Sequence, residues 1–220
     1  MKIIDQLISA KFIPVIRTDS FQEAEQICDI LVEEGINTIE LTLSIPEATK
    51  LVTKLKNRYG NNVTVGMGTV QTVEELQESI DAGSEFIVTP YAENEVVDQV
   101  TEVPIIPGCM TVSEIAKLKS KGFKLIKVFP ASVVGQSFIK SSLSIFPDVK
   151  LMPTGGISGT TGIEWIENGA SCVGIGSDLN KTYQTKGEQG LRQYIKQILQ
   201  VKESLNKGET LCSKISGNAY

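Results

Sequence analysis

The chain has no histidine among its 220 residues. This removes the side chain that titrates nearest neutrality and the commonest metal ligand, so acid–base chemistry falls to carboxylate, lysine, tyrosine or water. Cysteine is scarce. Cys28, Cys109, Cys172 and Cys212 lie far apart and never as CxxC, which argues against a zinc site or a disulfide framework and reads as core thiols. No apolar run approaches the ~20 residues of a membrane span. The opening "MKIIDQLISA" is interrupted by Asp5 and Gln6, too early for a secretory signal, so a cytosolic protein is expected. The net charge is -5 with no basic cluster, which argues against nucleic acid and anionic membrane as main partners and leaves a small molecule.

What is present is ordinary globular material, 41% hydrophobic and 21% charged, enough for one sizeable core. Eight short β-rich runs punctuate the chain: "FIPVIR", "NTIELTL", "NVTVGMG", "EFIVTP", "VPIIPG", "KLIKVFP", "VKLMPTGG" and "SCVGIGS". Helical periodicity fills the gaps, over Phe21 to Glu34, Ile45 to Tyr59, Val73 to Ala82, Val112 to Lys121 and Thr160 to Asn168. Ser20, Thr72, Thr111 and Ser158 or Gly159 stand where N-caps belong, and Gly35, Gly83, Gly122 and Gly169 where helices should stop. Strand and helix alternating eight times predict an α/β fold, a single-domain (β/α)8 TIM barrel over 1–220, with a short N-terminal helix over Met1 to Ala10 and a polar tail over 205–220. The competing doubly wound sheet lacks a GxGxxG after its first strand.

In such a barrel, residues alternate between the interior and the helical layer, and active sites lie at the carboxyl ends of the strands. In "TIELTLS", Ile39, Leu41 and Leu43 make the aliphatic outer face, which turns Glu40, Thr42 and Ser44 inward. In "KLIKVFP", Ile126 and Val128 suit the helices, so Leu125, Lys127 and Phe129 point in. The same parity turns Ile13, Val15 and Arg17 inward, whereas Glu85, Lys124 and Lys150 fall at strand beginnings, where they reach water. Three ionisable groups, Arg17, Glu40 and Lys127, therefore converge on one end of the interior. A buried Glu40–Lys127 ion pair with no chemistry is one reading. The other is a nucleophile, because an amine attacks a ketone only when unprotonated, and burial beside Arg17 favours the neutral form of Lys127.

"PTGGIS" (Pro153 to Ser158) and "GIGSDL" (Gly174 to Leu179) end the last two strands. Glycine-rich loops there let backbone amides approach an anion, so Gly155, Gly156, Gly176 and Ser177 are expected to donate to a phosphate, although each loop could be a purely geometric turn. In "VGMGTV", Thr69 suits either a small carboxylate or a turn. Pro90 and Pro107 read as strand-ending punctuation that shapes the pocket wall.

These motifs, "GINTIELTL", "VGMGTV", "FIVTP", "PIIPGCMTVSEI", "FKLIKVFPA" and "PTGGIS", in order along nearly the whole chain, resemble the class I aldolases that cleave 2-keto-3-deoxy-6-phosphogluconate and their relatives acting on 4-hydroxy-2-oxoglutarate. The resemblance implies Lys127 as Schiff-base lysine, Glu40 as general acid/base, Thr69 at the pyruvate carboxylate, Phe129 beside the imine, the two glycine turns at the substrate phosphate, and a homotrimer with no metal or cofactor. One departure concerns the end of the second strand, where some members have an arginine and this chain has Ser44; Arg17 on the first strand is then expected to bind the carboxylate. A phosphosugar isomerase or epimerase with Glu40 as base, and a non-catalytic phosphosugar sensor, remain the competing functions.

Overall fold

The computed structural model describes residues 2–206. The strands are β1 (Phe12–Ile16), β2 (Thr38–Thr42), β3 (Thr64–Gly68), β4 (Phe86–Val88), β5 (Ile105–Ile106), β6 (Gly108–Cys109), β7 (Leu125–Val128), β8 (Lys150–Pro153) and β9 (Val173–Ile175). The helices are α1 (Ile3–Ala10), α2 (Phe21–Glu33), α3 (Ala48–Tyr59), α4 (Val73–Asp81), α5 (Asn94–Val97), α6 (Val112–Ser120), α7 (Ala131–Val134), α8 (Gln136–Ile145), α9 (Gly162–Glu167) and α10 (Ser177–Asn206), the last broken into two helical stretches at Gly187 (φ 62). The result is an α/β fold in which all strand pairs are parallel, in two sheets ordered β5-β4-β3-β2-β1-β9 and β6-β7-β8. Two links run between the sheets. Pro107 alone separates β5 from β6, and an isolated bridge joins Thr154 to Gly174.

Local chemistry sets most of the boundaries. Ser20 accepts the Glu23 amide at the head of α2, and Thr72 and Thr111 form reciprocal capping boxes with Glu75 and Glu114. Gly35, Gly83, Gly122 and Gly169 all have positive φ just past helix ends. Some expectations are corrected. The helix expected from Ile45 starts at Ala48, after Pro46 and a left-handed Glu47 (φ 55). The helix expected from Thr160 starts at Gly162, because the Ser158 carbonyl and hydroxyl take the Gly162 and Thr161 amides in a preceding turn. The fifth expected strand is split, since Pro107 has no N–H to give a ladder. Leu205, assigned to the polar tail, belongs to α10; the rest of that tail from 207, and Cys212, lie outside the described residues.

Side chains sort by parity. Ile39 and Leu41 of β2 join α2 and α3 in one outer cluster, and Ile126 and Val128 of β7 join a second with α6 and α8. The inner faces carry a third cluster of Ile13, Phe86, Val88, Ile106, Leu125, Met152 and Cys172, packed with Leu7 of α1. Gly66 makes room there, because a Cβ would sit 2.3 Å from the Phe86 ring. Toward the carboxyl ends the inner positions turn polar. Val15 lies opposite Glu40, and Gly108 and Met152 flank Lys127.

Candidate active site

Lys127 occupies the third position of β7, with its amide held by the Pro107 carbonyl at 2.9 Å. The side chain is 5% exposed, and Nζ lies 5.0 Å from the centre of the Phe129 ring. Desolvation is the dominant influence and lowers the amine's pKa; the charge of Glu40 opposes this and that of Arg17 adds to it. The shift is toward the neutral amine.

Glu40 is fully buried on β2. Its carboxyl fills space that glycine leaves open on β3, since a Cβ on Gly68 would lie 2.1 Å from Oε1. Neither carboxyl oxygen has a hydrogen-bond partner among the described residues. Burial raises the pKa of Glu40, against the lowering charges of Lys127 and Arg17. Glu40 and Lys127 thus feel each other's charge without forming a direct ion pair among the described residues. Gly68→Ala is expected to displace the carboxyl. A misplacement of ~1 Å lowers rates about 100-fold, so any proton transfer carried by this carboxyl should slow by roughly that factor, read as hydrogen–deuterium exchange into the ligand by NMR.

Arg17, just past β1, donates from Nη2 to Thr69 Oγ1 at 2.9 Å. It makes no ion pair with Asp19 among the described residues. Thr69 has φ 66, a left-handed conformation that a β-branched residue rarely adopts and that carries about 1–3 kcal/mol of strain. The strained turn brings its hydroxyl to the guanidinium. Ser44 is exposed, and its hydroxyl lies 2.8 Å from that of Thr42, which in turn donates to the Ile16 carbonyl at 3.0 Å.

After β8, Gly155 (φ 96) and Gly156 (φ 77) form a turn against β7's continuation. A Cβ on Gly155 would meet the Phe129 ring at 3.1 Å, and one on Gly156 would meet Ser132 Cβ at 2.6 Å. The Gly155 carbonyl accepts the Ser132 amide at 3.0 Å, while neither glycine amide donates to a backbone carbonyl among the described residues. Gly176 precedes Ser177, the first residue of α10, and its carbonyl accepts the Asn180 amide. Pro90 is half-buried, its carbonyl against Gly108, where a Cβ would come within 2.3 Å. Thr154 was missed by the sequence reading. It is 6% exposed, its hydroxyl lacks a partner among the described residues, and it stands two residues after the inward Met152, so parity alone could have found it.

A desolvated lysine beside a buried, unpartnered carboxyl, at the carboxyl ends of parallel strands, is the equipment of an enzyme that makes and breaks bonds next to a carbonyl. The comparisons agree with that class. The family model for KDPG and KHG aldolase matches residues 3–194, and the chain belongs to this family of aldolases, which are carbon–carbon lyases. The 2-dehydro-3-deoxy-6-phosphogalactonate aldolase of Escherichia coli is 27% identical over 79% of this chain and 86% of its own. The 2-dehydro-3-deoxy-phosphogluconate aldolase of Treponema pallidum is 32% identical over 70% of this chain and 75% of its own. Among solved structures, the KDPG aldolase of Legionella pneumophila, with pyruvate captured as a covalent carbinolamine, superimposes with a TM-score of 0.79 at 30% identity, covering 89% of this chain and 96% of that one. Family membership decides for the aldolase over the isomerase and the sensor.

Proposed function

We propose that this chain is a class I aldolase that cleaves 2-keto-3-deoxy-6-phosphogluconate, or its C4 epimer, to pyruvate and glyceraldehyde 3-phosphate through a Schiff base on Lys127, with 4-hydroxy-2-oxoglutarate as a further substrate. The observation that carries the reading is Lys127 itself, desolvated and coupled to Glu40 without an ion pair. Neutral Lys127 attacks the C2 ketone to give a carbinolamine, and loss of water assisted by Glu40 gives a protonated imine. This cation accepts electrons. When Glu40 takes the proton of the C4 hydroxyl, the C3–C4 bond breaks, the aldehyde leaves, and the pair of electrons remains as a pyruvate enamine. Protonation at C3 and hydrolysis return the lysine and release pyruvate. The captured carbinolamine in the Legionella relative supports the same first step here. Borohydride with pyruvate tests it: reduction should attach a three-carbon adduct to Lys127, and an unmodified Lys127 would overturn the reading.

On this reading Arg17 and Thr69 hold the keto-acid carboxylate, Gly155, Gly156, Gly176 and Ser177 the phosphate, and Ser44, Pro90, Phe129 and Thr154 line the pocket. Arg17→Ala should weaken pyruvate binding at least about tenfold, since a charge-assisted contact contributes about 1.5–3 kcal/mol. Transferring the guanidinium across neighbouring strands, as Arg17→Ala with Ser44→Arg, should recover part of that affinity. Unchanged affinity in Arg17→Ala would assign the carboxylate to another group. Named relatives act on both the gluconate and the galactonate compound, so a panel of the two C4 epimers decides the preference.

The scaffold is read as one closed (β/α)8 barrel, supported by the single-residue gap at Pro107 and the Thr154–Gly174 bridge. Family resemblance supports a cytosolic homotrimer, which sedimentation equilibrium would report as three times the chain mass.

A further inference from the structure

Tyr194 lies on α10, well removed in sequence from either glycine turn, and nothing in the chemistry above uses it. Its hydroxyl accepts the Gly159 amide at 2.7 Å and donates to Asp178 Oδ2. Gly159 directly follows the "PTGGIS" segment, and Asp178 follows Ser177 in the first turn of α10. One phenol therefore ties the loop after β8 to the first turn of α10. The approach is close, because a Cβ on Gly159 would come within 3.0 Å of the Tyr194 oxygen and 2.5 Å of Ile198. The ring packs against both outer apolar clusters, so its position is set by packing and the hydroxyl has a fixed aim. Asp178 is the acidic residue of the first turn of α10, next to the residues assigned to the phosphate. The one hydrogen bond of its carboxylate among the described residues is from Tyr194.

We propose that Tyr194 is a positioning residue for the phosphate end of the substrate, setting the spacing of the two glycine turns and engaging the Asp178 carboxylate that would otherwise compete for their amides. The inference rests on the phosphate assignment made above. Like-charge repulsion makes the second role concrete. A carboxylate released beside a phosphate site both repels the ligand and offers the free amides an internal acceptor. Burial and Asp178 both raise the pKa of the phenol, which keeps it a donor at neutral pH.

Tyr194→Phe removes the oxygen and keeps the ring. In this variant KM for the phosphorylated keto acid should rise about tenfold or more. KM for the unphosphorylated 2-keto-3-deoxy acid and the rate of pyruvate methyl exchange, which involve no phosphate, should stay within about twofold of wild type. Asp178→Ala breaks the bridge from the other end and should raise KM for the phosphorylated acid by about threefold or more with the other two readouts unchanged; an unchanged KM there would overturn the proposal. It serves as the test if the phenylalanine variant does not fold. A uniform loss in all three readouts would make Tyr194 structural only and overturn the proposal, as would an unchanged KM for the phosphorylated acid. If wild type itself makes no distinction between the phosphorylated and unphosphorylated acids, the phosphate assignment falls and the proposal with it; a clear wild-type preference left intact in Tyr194→Phe sinks the positioning role alone.

Discussion

Lys127→Met should leave no measurable aldol cleavage and no borohydride adduct with pyruvate, while the protein folds and melts at a higher temperature than wild type at neutral pH. The chemical half of the expectation follows from the proposed covalent step: methionine matches lysine in length and cannot form an imine, and loss of an activated nucleophile lowers turnover by orders of magnitude. Retention of more than about a tenth of wild-type turnover would exclude the covalent mechanism. The stability half follows from burial. The folded-state pKa of Lys127 lies below its ordinary value of 10.5. A lysine lowered in this way binds fewer protons folded than unfolded, so it opposes folding in full at pH below its folded pKa, and the opposition fades as pH rises toward 10.5. The gain in melting temperature from Lys127→Met should therefore be largest below the folded pKa of the lysine and shrink as pH rises toward 10.5. A gain independent of pH would point to packing by the thioether, not to relief of a buried amine.

Glu40→Gln should slow proton exchange at the pyruvate methyl by roughly 100-fold or more, the usual scale for removing a general base. Imine formation should slow as well, since the same carboxyl is assigned the water-forming step. Glutamine is nearly the same shape and fits beside Gly68, so the loss can be charged to the proton and not to a cavity. The pH dependence of stability has the opposite sign to that of Lys127. The folded pKa of Glu40 is raised above 4.5, so the folded state holds a proton that the unfolded chain releases, and this group's contribution falls as pH rises from about 4.5 through the folded value. Glu40→Gln should remove that fall. Methyl exchange at the wild-type rate in Glu40→Gln would exclude Glu40 as the proton carrier.

The strand–helix alternation was legible because each element announces itself over a few residues: β-branched runs, a capping threonine, a glycine after the last turn. The inward setting of Glu40 and Lys127 was legible for a related reason, since a strand's period of two allows one face to be read from the aliphatic residues on the other. The misjudged boundaries have short-range causes that composition does not expose. Pro46 and the left-handed Glu47 delay α3, and the Ser158 hydroxyl caps a turn ahead of α9 and not the helix itself. At Pro107 the missing amide was visible, but not that it would divide a strand into two pairs of residues.

By itself the sequence determined the alternation of elements, the parity that sends a carboxylate and an amine to one inner face, the glycines at the ends of the last strands, and a family resemblance that the comparisons bear out. Only the tertiary structure decided that Glu40 and Lys127 are coupled without an ion pair, that Arg17 reaches Thr69 across 52 residues, that the Thr154 hydroxyl stands without a partner among the described residues, and that Tyr194 joins a loop to the first turn of α10. The physical reason is range. Secondary structure and facing follow from backbone periods and neighbours a few positions away, whereas desolvation, charge coupling and side-chain hydrogen bonds depend on which distant segments meet in space, with a precision of a few tenths of an ångström that no local pattern encodes.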